Sequence, residues 1–157
     1  MTFFTEYPSP IGPLTLTSDG CALTGLWLPT EKYRADRMTL RDDLPVLREV
    51  HLWLDSYFQG QPGEITFPLS PAGTCFQKQV WQILLNIPYG KTTSYGTIAK
   101  QLSAKMSAQA VGQAVGKNPI SIIIPCHRVV GAKGQLTGYA GGLENKKWLL
   151  THEEETK

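Results

Sequence analysis

Residues 93–117 read TSYGTIAKQLSAKMSAQAVGQAVGK, and the way this stretch folds decides the architecture around it. Thr93 or Ser94 starts a helix with Tyr95, Ile98, Ala99 and Leu102 on one face, since residues three and four apart share a helix face. The five-residue interval SAKMS leads into a second helix over about 108–116. Two short helices joined this closely predict a helix-turn-helix, although the turn lacks the usual glycine. In the second helix Ala108, Val111 and Val115 make an inner stripe, and Gln109, Gly112, Gln113 and Gly116 make the opposite one. Each glycine costs about 1 kcal/mol relative to alanine, so a compensating reason is expected. Glycines beside Ala110 and Ala114 let another backbone come close. Two readings stand: helix-on-helix packing, or insertion into a narrow DNA groove where long side chains would not fit.

Downstream lies SIIIPCHRVVG, residues 121–131, whose β-branched runs read as a buried strand. Pro125 cannot continue an interior ladder, so Cys126 and His127 fall in a turn leaving it. Gly131, Gly134 and Gly138 bracket a short hairpin, a wing beside the helix-turn-helix. Trp148, Leu149 and His152 fit a last helical turn or two. Upstream, Thr74 and Gln77 fit a capping box, with Phe76, Val80, Ile83, Leu84 and Ile87 at helical spacing behind it. Residues 59–73, with three Pro and three Gly, cannot be helix and read as a connector. Before it, Asp43 is placed to cap a helix with Pro45 in its first turn. Leu47, Val50, Leu54 and Tyr57 form the stripe of that helix, which ends near Gly60. Leu14 and Leu16 alternate with Thr15 and Thr17, then SDG turns into ALTGLWL, a hairpin or small antiparallel sheet. The expected fold is therefore an α/β N-terminal lobe (small antiparallel sheet plus helix, 1–73) followed by a mostly α, winged helix-turn-helix C-terminal domain (74–157).

A chain of 157 residues suits one ordinary domain or two small lobes sharing a core. No apolar run of ~18 residues exists, so no membrane span is expected, and the N-terminus lacks the pattern of a signal peptide. Three cysteines without CxxC spacing argue against a disulfide framework or zinc ribbon, and no metal is expected. A reducing, cytoplasmic setting follows as the expectation. Charge is unevenly spread: residues 1–73 carry five Lys/Arg and nine Asp/Glu, residues 74–157 ten and four. A basic C-terminal half favours an anionic partner such as nucleic acid, although a lysine-rich solvated surface accounts for charge alone equally well.

A free thiol has a pKa of about 8.5, so activation needs a base held by a third group. His127 is adjacent, and a water can complete a contact that the turn does not make directly. Its other ring nitrogen wants a carboxylate, and Glu144, Glu153, Glu154 and Glu155 are the only acids after residue 74. The plainer reading is that Cys126 is a small buried hydrophobe.

PCHRVV, with TSYGTIA upstream and GYAGGLENKKWLLTHE downstream, resembles the O6-alkylguanine-DNA alkyltransferases. The likeness runs from Thr74 to Glu153 and is weaker at SPIGPL and LDSYFQG. It implies a winged helix that binds double-stranded DNA through the minor groove, as a monomer. A guanine alkylated at O6, or a thymine alkylated at O4, would be flipped out, and its alkyl group passed irreversibly to Cys126. On the matching positions, His127 takes the thiol proton through a water, Glu153 orients that histidine, and Tyr95 helps rotate the nucleotide and protonates the leaving base. Asn118 matches the hinge asparagine, and the main-chain carbonyls of Cys126 and Val129 receive the guanine amino group. Val115, Tyr139, Ala140 and Lys146 line or support the pocket. Gln109, Ala110, Gly112, Gln113, Gly116 and Arg128 fall on the DNA side.

The product thioether has no easy leaving group, so one turnover per molecule and no cofactor are expected. One departure is Gln109, where the family places an arginine that fills the space of the flipped nucleotide. Glutamine lacks the charge and stacking plane of a guanidinium, so weaker DNA affinity or slower extrusion is expected. Two rivals are a non-catalytic binder of alkylated DNA and a thiol hydrolase using Cys126, His127 and Asn118. The first leaves the acceptor cysteine without a purpose, and the second leaves the basic helix-turn-helix without one.

Overall fold

The computed structural model describes residues 2–31 and 38–157. Strands β1 (Thr2–Ser9), β2 (Gly12–Ser18), β3 (Leu23–Trp27) and β4 (Met38–Leu40) form a sheet in the order β3-β2-β1-β4. The expected hairpin is the antiparallel β2–β3 pair, but the sheet is mixed, because β4 runs parallel to β1. Leu14 and Leu16 are fully buried, and Thr15 and Thr17 are buried as well, so this strand is covered on both faces.

Helix α1 (Pro45–Phe58) packs on β1 and β2, and its stripe of Leu47, Val50, Leu54 and Tyr57 is fully buried. The helix starts one residue later than expected. Leu44, not Asp43, is the N-cap, and no side chain caps it. Asp43 pairs with Arg41 instead, at 2.7 Å. Gly60 follows the helix at φ +81°, which only glycine adopts without strain. The connector crosses the sheet edge: Leu23 N–H donates to Pro68 O, and Ser70 N–H to Leu23 O.

Helix α2 (Cys75–Leu85) opens with the expected capping box between Thr74 and Gln77. Helices α3 (Tyr95–Leu102) and α4 (Ala108–Gly116) are capped by the Ser94 and Ser107 hydroxyls, across the predicted five-residue interval. The Trp81 indole donates to Ala114 O at 2.9 Å and ties α2 to α4. Val111 and Val115 face inward as expected, whereas Ala108 is exposed and Ala114 takes its place in the inner stripe.

Two expectations are corrected downstream. Residues 121–124 form turns, not a strand, and a 3-10 turn (Cys126–Arg128) follows Pro125. The only strand here is β6 (Val129–Val130), which pairs parallel with β5 (Thr93–Ser94). The expected wing has no strands; its residues 131–135 close a turn through Gly131 N–H to Gln135 O. The C-terminal helix α5 (Leu143–Thr156) is longer than the expected turn or two.

One continuous core joins both halves, from Tyr7 and the α1 stripe through Val80, Trp81 and Val111 to Cys126 and Leu149. The edge of β3 is extended by the chain after α4: Leu26 N–H donates to Pro119 O, and Ser121 N–H to Leu26 O. The N-terminal sheet thus props the segment leading to Cys126. Among the described residues no helix is long and apolar enough to cross a membrane.

Candidate active site

The approach to Cys126 is folded by one asparagine. Buried Asn118 donates through Nδ2 to Ile120 O at 3.2 Å and Ile124 O at 2.8 Å, and accepts from Ile120 N–H at 3.0 Å. These bonds close a compact loop in which Ile122 has φ +70°, a left-handed conformation costly for a β-branched side chain. Cys126 N–H then donates to Ile124 O at 2.7 Å. The kink answers the alternation problem of a Cys–His pair on one strand: both side chains leave a turn and point inward.

Cys126 is 5% exposed. Burial pushes its thiol up to about 11, Asn118, Tyr139 and Lys146 pull the other way, and the Glu31 charge adds to the rise. At neutral pH the resting sulfur is therefore a neutral thiol, and a thiolate forms only as a base removes its proton. Glu31 reaches the region from the turn after β3, accepting from Leu28 N–H at 3.0 Å and the Ser121 hydroxyl at 3.1 Å.

His127 is fully buried. Its Nε2 lies 2.5 Å from Glu153 Oε2, while Nδ1 is buried with no partner among the described residues. Burial lowers the imidazole pKa, the Arg128 and Lys146 charges act in the same direction, and the Glu153 carboxylate pulls the other way without reversing the result. A neutral ring with Nε2–H donated to glutamate presents a lone pair at Nδ1. Such a ring accepts a proton.

Glu153, on α5, gathers donors from four places: His127, Arg128 Nε at 2.7 Å, the Gly90 backbone N–H at 3.1 Å and the Tyr57 hydroxyl at 2.7 Å. Burial alone would raise its carboxyl, but His127 and Arg128 outweigh that and hold it well below the usual carboxylate range. Arg128 is therefore not a DNA-facing cation. It is buried, bonds Glu153 and Ile87 O, and lies 5.6 Å from the centre of the Tyr89 ring. A buried guanidinium needs a buried carboxylate, and Glu153 meets that demand.

Tyr95 opens α3, and its hydroxyl accepts from Thr137 Oγ1 at 2.9 Å, so its own proton remains available. Lys146 is buried on α5, donates to Thr137 O at 3.2 Å and lies 6.0 Å from the centre of the Tyr95 ring. Burial lowers its pKa, against the opposing influence of Cys126. The Tyr139 hydroxyl is buried beside the thiol, without a well-directed hydrogen bond among the described residues. Val115 and Val129 are buried, and Ala140 is exposed. Cys126, His127, Glu153, Asn118, Tyr139, Lys146 and Tyr95 thus form one connected neighbourhood. Tyr57, Glu31 and Ser121 belong to it too, and sequence reasoning missed them as site residues. The signals for Tyr57 were its place in the stripe of the first helix, which read as core, and the weaker family likeness at LDSYFQG.

The outer face of α4 carries exposed Gln109, Gln113 and Gly116, with Ala110 and Gly112 half-buried. A Cβ on Gly112 would meet the Tyr95 ring at an ordinary 3.6 Å, and one on Gly116 would meet nothing within 4 Å. Packing within the protein therefore does not account for these glycines.

Comparison with known proteins matches both halves of the chain. Residues 3–71 match the ribonuclease-like domain of 6-O-methylguanine DNA methyltransferase, and residues 75–155 match its DNA binding domain. The chain is 49% identical over 146 residues to the methylated-DNA–protein-cysteine methyltransferase of Mycobacterium leprae, covering 93% of this chain and 88% of that one. It is 44% identical over 154 residues to the Haemophilus influenzae protein of the same name, covering 97% and 86%. A crystal structure of Mycobacterium tuberculosis OGT in complex with DNA superposes with a TM-score of 0.90 at 45% identity, over 98% of this chain and 94% of that one. With both halves matched in order, the chain belongs to the 6-O-methylguanine DNA methyltransferase family, as a methylated-DNA–protein-cysteine methyltransferase.

Proposed function

We propose that this DNA-repair chain extracts O6-alkylguanine, and O4-alkylthymine, from duplex DNA and moves the alkyl group to Cys126 Sγ once per molecule. The observation that carries the reading is the orphaned His127 Nδ1. A buried nitrogen without a partner among the described residues, on a ring fixed by Glu153, suits a water that relays the Cys126 proton. As that proton leaves, Sγ attacks the alkyl carbon. The S–C bond forms, the C–O6 bond breaks, and its electron pair goes to the purine, which takes a proton from the Tyr95 hydroxyl. Guanine and an S-alkylcysteine result, with no cofactor consumed. The resting thiol is too basic to ionise alone, so proton removal and alkyl transfer are coupled.

A base stacked in a duplex hides its O6, so the nucleotide must be rotated out, at a cost of about a few kcal/mol. The outer face of α4 fits the minor groove, its small residues letting the backbone approach. Gln109 at its start enters the gap left by the base without an arginine's charge, which predicts a weaker hold on DNA. Asn118 holds the hinge, the Cys126 and Val129 carbonyls take the guanine amino group, and Val115, Tyr139, Ala140 and Lys146 surround the base. The two parts, 1–73 and 74–157, act as a monomer. A reducing cytoplasm keeps the acceptor thiol available.

The test is intact-protein and peptide mass spectrometry after incubation with a duplex containing O6-methylguanine. One methyl per molecule on the Cys126 peptide, absent from Cys126→Ala, is expected. Repeated turnover, or a repaired duplex with Cys126 unmodified, would overturn the reading.

A further inference from the structure

Glu153 Oε2 serves three donors at once. It lies 2.5 Å from His127 Nε2, 2.7 Å from the Tyr57 hydroxyl and 3.2 Å from Arg128 Nη2. Tyr57 comes from α1, within the portion matched to the ribonuclease-like domain and 96 residues before its partner. Its ring is fully buried and clamped, stacked on Trp53 at 5.4 Å and edge-on to Tyr89 at 5.8 Å. His152 Nε2 lies 2.9 Å from the Tyr57 backbone carbonyl and fixes the helix end that carries it. Burial raises the Tyr57 pKa well above that of an ordinary tyrosine, and the Glu153 charge adds to this, so the hydroxyl stays protonated. Toward Glu153 it is purely a donor.

We infer that Tyr57 is a positioning residue for alkyl transfer: its hydroxyl fixes Glu153 Oε2 and draws off part of that oxygen's charge, keeping His127 neutral and aimed toward Cys126. The inference rests on His127 being the proton acceptor. A carboxylate oxygen shared among donors is a weaker acceptor toward each of them. Without the tyrosine hydroxyl, Oε2 stabilises the imidazolium more strongly, and an imidazolium cannot take the thiol proton. The other ionisable groups facing the pair are Arg128 on the 3-10 turn, Tyr89 after α2, Lys146 and His152 on α5, and Cys126 and Tyr139 at the thiol. A Tyr57→Phe change leaves all of them in place and keeps the buried ring.

The experiment is single-turnover alkyl transfer from an O6-methylguanine duplex, followed across about pH 5–9, where an imidazole titrates. For Tyr57→Phe in the full chain, the acid limb is expected to move up by about half a pH unit, and the rate constant on that limb to fall by up to about threefold. In a His127→Ala background, Tyr57→Phe is expected to have no further effect on the rate. An acid limb that stays in place, or an equal loss in both backgrounds, shows a packing role only and overturns the inference. Wild-type transfer by His127→Ala alone overturns the proton-relay reading instead, which keeps the two failures apart. If Tyr57→Phe does not fold, 3-fluorotyrosine at position 57 preserves the shape and donates more strongly. It should move the acid limb downward, and no movement overturns the inference.

Discussion

Glu153 and Arg128 meet through two contacts, Nε to Oε1 at 2.7 Å and Nη2 to Oε2 at 3.2 Å, in a place where both are buried. The carboxylate that orients His127 is therefore also the counter-charge of a guanidinium. Glu153→Gln removes both services. Leaving Arg128 buried and unpaired is expected to cost about 3 kcal/mol of stability, read by chemical denaturation. Loss of the acceptor that sets the His127 tautomer is expected to slow alkyl transfer by about 10²-fold, read in single-turnover repair assays.

His127 makes stability pH-dependent, with a definite sign. Its pKa is lowered in the folded protein by burial, so the unfolded chain binds the proton more readily. The corresponding stability is complete above the unfolded value of about 6.5 and is lost as pH falls toward the folded value. His51 on α1 is also lowered by burial and acts in the same direction. Glu153, held low, adds a second loss that begins below about pH 4.3. Thermal midpoints measured between about pH 7 and 5 should therefore decline. His127→Gln should flatten part of that decline; an undiminished slope would contradict the buried neutral imidazole.

On α4, stability and DNA binding should move in opposite directions. Gly112→Ala places a methyl at an ordinary 3.6 Å from the Tyr95 ring and gains about 1 kcal/mol of helix propensity. The same methyl stands on the face proposed to lie in the minor groove, so a higher melting temperature should accompany weaker duplex binding. Gln109→Arg should strengthen binding or speed repair, with a steeper salt dependence. Equal affinities for all three proteins would remove α4 from the interface.

The parts that were legible in the sequence are those whose cause is local. The Thr74–Gln77 capping box, the Ser94 start of α3 and the α1 stripe each depend on residues within a few turns, and the structure keeps all of them. Helix α5 was hidden because its buried positions, Lys146, Leu149 and Glu153, include two charged residues, which break the apolar period a reader looks for. Ile122, Ile123 and Ile124 have the composition of a strand, yet Asn118 takes the Ile124 carbonyl, and the Ile123 and Ile124 N–H groups close turns onto Ser121 O and Ile120 O. Arg128 looked like part of a basic DNA surface because nothing in the sequence says that its partner is 25 residues away. Tyr57 reads as core, which it is; only its hydroxyl, across the shared core, makes it part of the site.

The left-handed Ile122 has a design consequence. A glycine there would relax the backbone and remove a bulky side chain from the interior, two changes of opposite sign for fold robustness. The sulfur four residues on takes its aim from that bent segment. Thermal hardening at this point would thus be bought with marksmanship, and engineering for durability belongs at sites such as exposed Gly63, where an added Cβ meets nothing within 4 Å, away from the loop that Asn118 closes.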